Sequence, residues 1–566
     1  MKIKYLTGAA VLLTLLAVFV YLTGTVSCSP DETLVISKDE YISRIRAMWL
    51  AQVVAVQMGL QFEHKPAAVR DVDNYPESKL KELISNGGST VDDDWYYEIC
   101  ALSGFETYGY DMTVEELGEV WMKFNMGTFG SAFYTRKALL NGYRGADAGS
   151  PRNNRMWFTV GNQNRSDLYA MISPGMPNLT AQISRNLGHI NSYAEGTDGG
   201  VLMGGIESIA FYEKNIQKAM EKALVILHPS SPHRQCGESI VRMYNEGKSW
   251  QEAARYVEER WGIEYPGTNS AVWNAGFAMV AMYYGEGDFL KSMNIGYQAS
   301  DFSDADCSAA NVATVLAAIY GMDIFPVHLL EPINDRIKGE YYGFSKLTPP
   351  VDISIMELAE RTAKIGIDML LANGARIDGE TIYIPVQKKI ITQPAETFHP
   401  NDFTQWWNPE WTLSRAGFGA PGGGVRGVRG GTFIDGDILS TYPRDEVRGV
   451  RLSRTLKINE NEHLSFEVAA DPGRIWKLSV YVDDERIFTT LADGGDPIEW
   501  PDVRPDAYPQ PLEEYEKSGE VRKWRKIDID LSKYSGREVN IRLYQDILVR
   551  NGFPGNAYWR NLQITK

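Results

Sequence analysis

Two short runs of carboxylates carry the most chemistry in this chain of 566 residues. The first is Asp92-Asp93-Asp94, preceded by Gly87-Gly88-Ser89-Thr90-Val91 and followed by Trp95. The second is Asp301-Phe302-Ser303-Asp304-Ala305-Asp306-Cys307-Ser308. Adjacent carboxylates repel one another. A hard divalent cation removes that repulsion, because it takes oxygen ligands and neutralises their charge. Helix capping is the competing reading, with Asp92 at the first run and Asp306 or Ser308 at the second. Capping and the helix dipole account for one or two carboxylates, but not for three in a row. In the second run Asp304 and Asp306 are two apart, so a loop can aim both at one ion, and a helix N-terminus behind them favours anionic groups.

The elements that must position these groups read as helices from roughly 36 to 375. Apolar residues recur at helical spacing over Ile42 to Met58, Trp95 to Leu102, Leu179 to Leu187, Gly204 to Tyr212, Ile216 to Leu227, Ala271 to Met282 and Ala309 to Tyr320. Several are apolar on most faces and rich in Ala and Gly, as at Ala313, Ala317 and Ala318, which suits close packing in a large all-α core. Near residue 380 the pattern changes. Thr381 to Val386 reads as a strand, and alternating runs follow at Leu464 to Val468, Leu478 to Val482, Ile527 to Leu531, Val539 to Leu543 and Tyr558 to Ile564. Short strands between turns predict a β-sandwich of jelly-roll type. The expected division is a leader over 1–28, an α-helical catalytic domain over 36–380 and a β-sandwich over 390–566. Trp406, Trp407 and Trp411, in a loop beside Pro421-Gly422-Gly423-Gly424, are the candidates for an aromatic sugar-binding platform.

Taken together, the two acidic runs resemble the motifs of the ADP-ribosylglycohydrolase superfamily. There an N-terminal Asp-Asp motif and an Asp-x-Asp motif before a small-residue helix jointly hold a pair of magnesium ions. Asp304-Ala305-Asp306-Cys307-Ser308-Ala309-Ala310 is similar to the second motif, and Asp92-Asp93-Asp94 to the first. The segment Ala55 to Glu63 is similar to the family's opening helix, with Gly59 and Glu63 in register and Val56 where Asp is usual. The resemblance runs over roughly 40 to 340. It is closer to a bacterial branch of the superfamily than to the enzymes that remove ADP-ribose from arginine.

That resemblance implies one or two divalent ions, magnesium with calcium or manganese as alternatives. The implied ligands are Asp92, Asp93, Asp94, Asp304, Asp306 and Cys307. Cys307 stands where the family has Thr, and a thiol is a poor magnesium ligand. The implied catalytic residues are Glu63, Asp93 and Asp304, with Glu63 orienting or deprotonating water; on its own Glu63 reads as a solvated loop residue. Arg165, Asp167, His189 and Asp198 are the implied substrate contacts. Arg165 and Asp167 could instead pair with each other, and a lone histidine such as His189 is more often a core residue.

Composition limits the partners. Hydrophobic residues make up 44% and charged residues 23%, as in a soluble globular body, and the net charge of −16 argues against nucleic acid. Lys2, Lys4, the apolar run Leu6 to Gly24 and Thr25-Val26-Ser27-Cys28 have the layout of an export signal, with Cys28 as the lipidated residue of a bacterial lipoprotein. An uncleaved membrane anchor is the other reading. Cys100, Cys236 and Cys307 are too scattered for a disulfide framework. The expected function is metal-dependent hydrolysis of a glycosidic bond in an extracellular glycan. The alternatives are removal of ADP-ribose itself and a non-catalytic glycan-binding lipoprotein.

Overall fold

The computed structural model describes residues 33–65, 91–124, 130–262, 264–265, 267–299, 302–342, 345–417, 431–444, 448–495, 522–548 and 555–566. The export-signal segment with Cys28, the glycine run before Val91, Asp301 and the 421–424 glycine loop lie outside them.

Eight helices build what surrounds the acidic residues: α1 (Lys38–Gly59), α2 (Asp93–Tyr108), α3 (Ser166–Ile172), α4 (Pro177–Gly188), α5 (Glu195–Ala210), α6 (Ala271–Gly285), α7 (Ala305–Tyr320) and α8 (Ile355–Ala372). Ser37 caps α1, its hydroxyl accepting from the Glu40 amide. From Ala47 onward every residue of α1 is buried, so this helix runs through the core rather than along its surface. The same holds for α5, α6 and nearly all of α7. Each large apolar side chain so buried contributes about 1.5–3 kcal/mol. Small residues let these helices approach closely. A Cβ on Gly59 would sit 2.5 Å from the Cα of Asp306, so α1 passes against the first turn of α7 with no room for a side chain.

Two small sheets flank the helices. Strand β1 (Thr33–Ser37) pairs antiparallel with β5 (Thr381–Pro385), which pairs with β4 (Arg376–Asp378). The strand read at 381–386 thus closes the helical unit. An antiparallel hairpin, β2 (Arg336–Tyr342) and β3 (Ser345–Ser354), lies over the start of α2 and was not read from the sequence. The Tyr96 hydroxyl donates to the carbonyls of Thr348 and Pro349 in it.

The C-terminal part is two five-stranded antiparallel sheets. Their orders are β13 (Arg525–Asp530), β10 (His463–Ala470), β15 (Ala557–Thr565), β8 (Ile438–Thr441), β7 (Phe433–Asp435), and β12 (Glu485–Asp493), β11 (Ile475–Val482), β14 (Glu538–Asp546), β9 (Val450–Lys457), β6 (Thr412–Ser414). Alternate residues face inward, as in the pattern of β14. Trp476 of one sheet meets Trp559 of the other at 5.1 Å between centroids.

The sandwich core continues into the helical part through Trp157, Phe158 and Ala194. Phe398 packs edge-on against Trp157 at 5.2 Å. Nearby, the Glu396 carboxylate accepts from Arg185, the Ala194 amide and the His189 ring.

Candidate active site and metal centre

The acidic residues come from three places that only the tertiary fold brings together. Glu63 follows the end of α1, Asp92 to Asp94 open α2, and Asp304 and Asp306 open α7. Two groups of ligand atoms form: Glu63, Asp304 and Asp306, and Asp94, Asp306 and Cys307. Within each group one ligand atom per residue lies within 4.8 Å of the others. Asp92, Asp94, Asp304 and Asp306 are buried, while Glu63 and Asp93 keep partial access to solvent, so the centre opens on their side.

Capping explains part of the first run and none of the second. Asp92 is the N-cap of α2, and its Oδ1 accepts from the Asp94 amide at 3.2 Å. Such a cap contributes about 1 kcal/mol. Asp304 holds the corresponding position on α7, yet its side chain makes no capping bond. Asn269 Nδ2 donates to its Oδ2 at 2.6 Å, and its backbone amide donates to Asn274 Oδ1 at 3.0 Å. The carboxylate is thereby fixed from behind.

Two buried oxygens, Asp94 Oδ2 and Asp306 Oδ1, have no hydrogen-bond partner among the described residues. Buried charged oxygens are normally satisfied, so this donor set fits a cation. The electrostatics agree. Burial first, then neighbouring carboxylates, pushes Asp92, Asp94 and Asp306 well above the usual range. Glu63 is pushed up to about 8 by burial, then by Asp304 and Asp93. Without a positive charge these groups cannot all ionise. Cys307 faces the same centre. Its thiol donates to Asp94 Oδ1 at 3.1 Å and accepts from Asn164 Nδ2 at 3.2 Å.

The four residues expected to contact substrate sit elsewhere, and none hydrogen-bonds to the carboxylate centre. Arg165 is fully buried, with Nη2 donating to Asn191 Oδ1 and its guanidinium over the Trp121 ring. Asp167 is buried too and accepts from Gln52, Asn311 and Thr314. The two do not pair with each other. Neither reaches solvent. Asp198 is buried against Arg185 and Ser231. His189 is partly exposed and bonds Glu396 at the domain junction.

The aromatic platform also changes. Trp411 is buried in the sandwich core, Trp407 donates to the Asp437 carbonyl, and only Trp406 is exposed, stacked on Phe398 at 5.5 Å. Sequence reasoning missed Asn164, Asn269 and Asn274 as site residues. Of the three, Asn274 falls within the helical run Ala271 to Met282, but a lone amide gives no signal until its partner is known.

Helices that converge this many carboxylates on one point define an α-helical domain built around an acidic centre able to hold metal. The model of the ADP-ribosylglycohydrolase family matches residues 37–364, a span that contains every carboxylate of the centre. The match covers more than half of the chain, and the chain belongs to that family. Membership supports hydrolase activity. Among solved structures, one titled "ADP-ribosylglycohydrolase-related protein complex" is similar at 14% identity and a TM-score of 0.34, over 58% of this chain and 98% of that one. A structure titled "CBM4 structure and function" is similar at 9% identity and 0.16, over 28% of this chain and 88% of that one. A family GH115 4-O-methyl-α-glucuronidase with specificity for decorated arabinogalactans is similar at 10% identity and 0.15, over 66% and 40%. At these scores the likenesses are distant. No curated protein matches the chain.

Proposed function

We propose that this protein is an exported, lipid-anchored hydrolase that cleaves a glycosidic bond of an extracellular glycan with the help of divalent metal. The observation that carries the reading is the convergence of Glu63, Asp94, Asp304 and Asp306, with Asp92 near enough for its charge to be felt by Glu63 and Asp304, and with buried oxygens of Asp94 and Asp306 unpartnered among the described residues. Asp92, Asp94, Asp304 and Asp306 would hold the metal. When bound, it supplies positive charge that orients sugar hydroxyls and acidifies water. Glu63, at the solvent side, is placed to orient that water and take its proton. Asp93, also partly exposed, would stabilise the positive charge that develops at the anomeric carbon. Asn269 and Asn274 keep Asp304 in place while this happens. The glycan assignment rests on the export-type leader and lipoprotein-type Cys28 together with the appended β-sandwich.

Sugar release from plant, host and microbial glycans, and from an ADP-ribosylated peptide, measured with divalent metal and with chelator, tests this. Metal-dependent release from one glycan supports it. Release of ADP-ribose alone replaces the glycan with the alternative substrate. Turnover that persists in chelator overturns the metal dependence.

A further inference from the structure

The two halves of the acidic centre do not offer the same chemistry. Glu63, Asp304 and Asp306 present only carboxylate oxygens, whereas Asp94, Asp306 and Cys307 present two carboxylates and a sulfur, and Asp306 belongs to both. The sulfur half is built for a ligand. Cys307 is buried at the first turn of α7, directly facing Asp94 on α2. In the same group, Asp94 Oδ2 and Asp306 Oδ1 are buried and have no hydrogen-bond partner among the described residues. The Sγ to Oδ1 distance of 3.1 Å is close to the roughly 3.3–3.8 Å that separates two donors on one tetrahedral ion at ordinary zinc bond lengths. Asn164 donates to the sulfur at 3.2 Å, an outer contact that helps to fix its direction.

Hard ions such as magnesium and calcium select oxygen, while zinc and its first-row neighbours accept thiolate together with carboxylate. On the metal-dependent reading above, we propose that the centre consists of two unlike half-sites sharing Asp306. The half formed by Asp94, Asp306 and Cys307 takes a borderline divalent ion of the zinc type through the Cys307 sulfur. The half formed by Asp304 and Asp306, with Glu63 beside it, takes a hard ion. Binding at the sulfur half breaks the Cys307 S–H bond, forms a sulfur–metal bond and releases one proton to solvent. Asp94 loses the thiol hydrogen bond and gains the metal in its place.

Cobalt(II) is the probe, since it occupies zinc sites and its spectrum reports sulfur ligation. The metal-free full chain titrated with cobalt should develop a near-ultraviolet thiolate-to-cobalt charge-transfer band as well as visible ligand-field bands. Cys307→Ser should keep the ligand-field bands, lose the charge-transfer band and bind zinc at least about tenfold more weakly. A measurement on the unaltered protein serves if that variant does not fold: excess magnesium should leave the charge-transfer band intact, because it does not compete for sulfur. Ligand-field bands with no charge-transfer band, a band that survives in Cys307→Ser, or a band quenched by magnesium would each overturn the sulfur assignment while leaving metal dependence standing. Failure of cobalt, zinc and magnesium alike to bind, by calorimetry, would overturn both.

Discussion

Two groups of buried carboxylates share the helical core, and they solve the same electrostatic problem differently. One is the open centre of Glu63, Asp92, Asp94, Asp304 and Asp306. The other lies deeper: Glu98 on α2, Asp167 on α3 and Glu207 on α5. Helix α7 serves both, sending Asp304 and Asp306 to the first, and Asn311 and Thr314 to the second. In the inner group the carboxylates of Glu98 and Asp167 are met by protein donors, while both oxygens of Glu207 lack a hydrogen-bond donor among the described residues. Gln52 donates to both Glu98 and Asp167, and the Leu168 amide donates to Glu98. Burial and the neighbouring Asp167 hold Glu207 well above the usual carboxylate range, so it keeps its proton. The outer group lacks such donors at Asp94 Oδ2 and Asp306 Oδ1. Glu207 is sealed in the core as a neutral group, whereas the open acceptors of the outer group lie beside the partly exposed Glu63 and Asp93, where a cation can reach them.

The sharpest way to break that contrast is Asp306→Asn. It should lower turnover by roughly 10²–10³-fold or more. In chelator it should leave the melting temperature unchanged or raised, since it removes one of several repelling charges. A melting temperature that falls in chelator would mean that Asp306 holds the fold together rather than a cation.

Asp167→Ala makes the reverse test. It takes an acceptor from Gln52, Asn311 and Thr314 in the core, at about 1–3 kcal/mol for a buried group left unmet. Chemical denaturation should show a clear loss of stability with or without metal. An activity loss at full stability would return Asp167 to the substrate cleft.

The pH dependence separates the groups more gently. Glu63 and the buried Glu195 are both held at about 8 in the folded protein. An unfolded glutamate releases its proton near 4.5. The folded state therefore binds more protons between those values, and stability should fall as pH rises from about 4.5 to 8. Divalent metal should flatten the part due to Glu63 and leave the part due to Glu195. A slope that metal does not alter would disconnect Glu63 from the cation.

The smallest expected effect is at the domain junction. Glu396→Gln weakens the contacts to Arg185 and His189. It should cost about 1 kcal/mol in denaturant melts, with turnover on a small soluble substrate unchanged.

Much of the fold was legible in the sequence because its signals are local. The period of apolar residues in α1, α6 and α7 marked helices, and alternation in β10, β11 and β14 marked strands. Two acidic runs, with Gly59 and Glu63 spaced ahead of them, marked the centre. The hairpin β2–β3 escaped because Ser345 to Ser354 carries two prolines and little alternation. The burial of Arg165, Asp167 and Asp198 was not legible, because a charged residue in a polar stretch reads as exposed while its burial is decided by partners far along the chain.

By itself the sequence determined which residues could hold a cation and that helices would carry them. Only the tertiary structure decided which carboxylates meet, because Glu63, Asp94 and Asp306 lie on separate segments that converge through the contact of α1 with α7 at Gly59. It also decided that Asp92 caps while Asp304 is held by Asn269, and that the Cys307 sulfur lies against Asp94. Those outcomes depend on distances between segments remote in sequence, which no local pattern encodes.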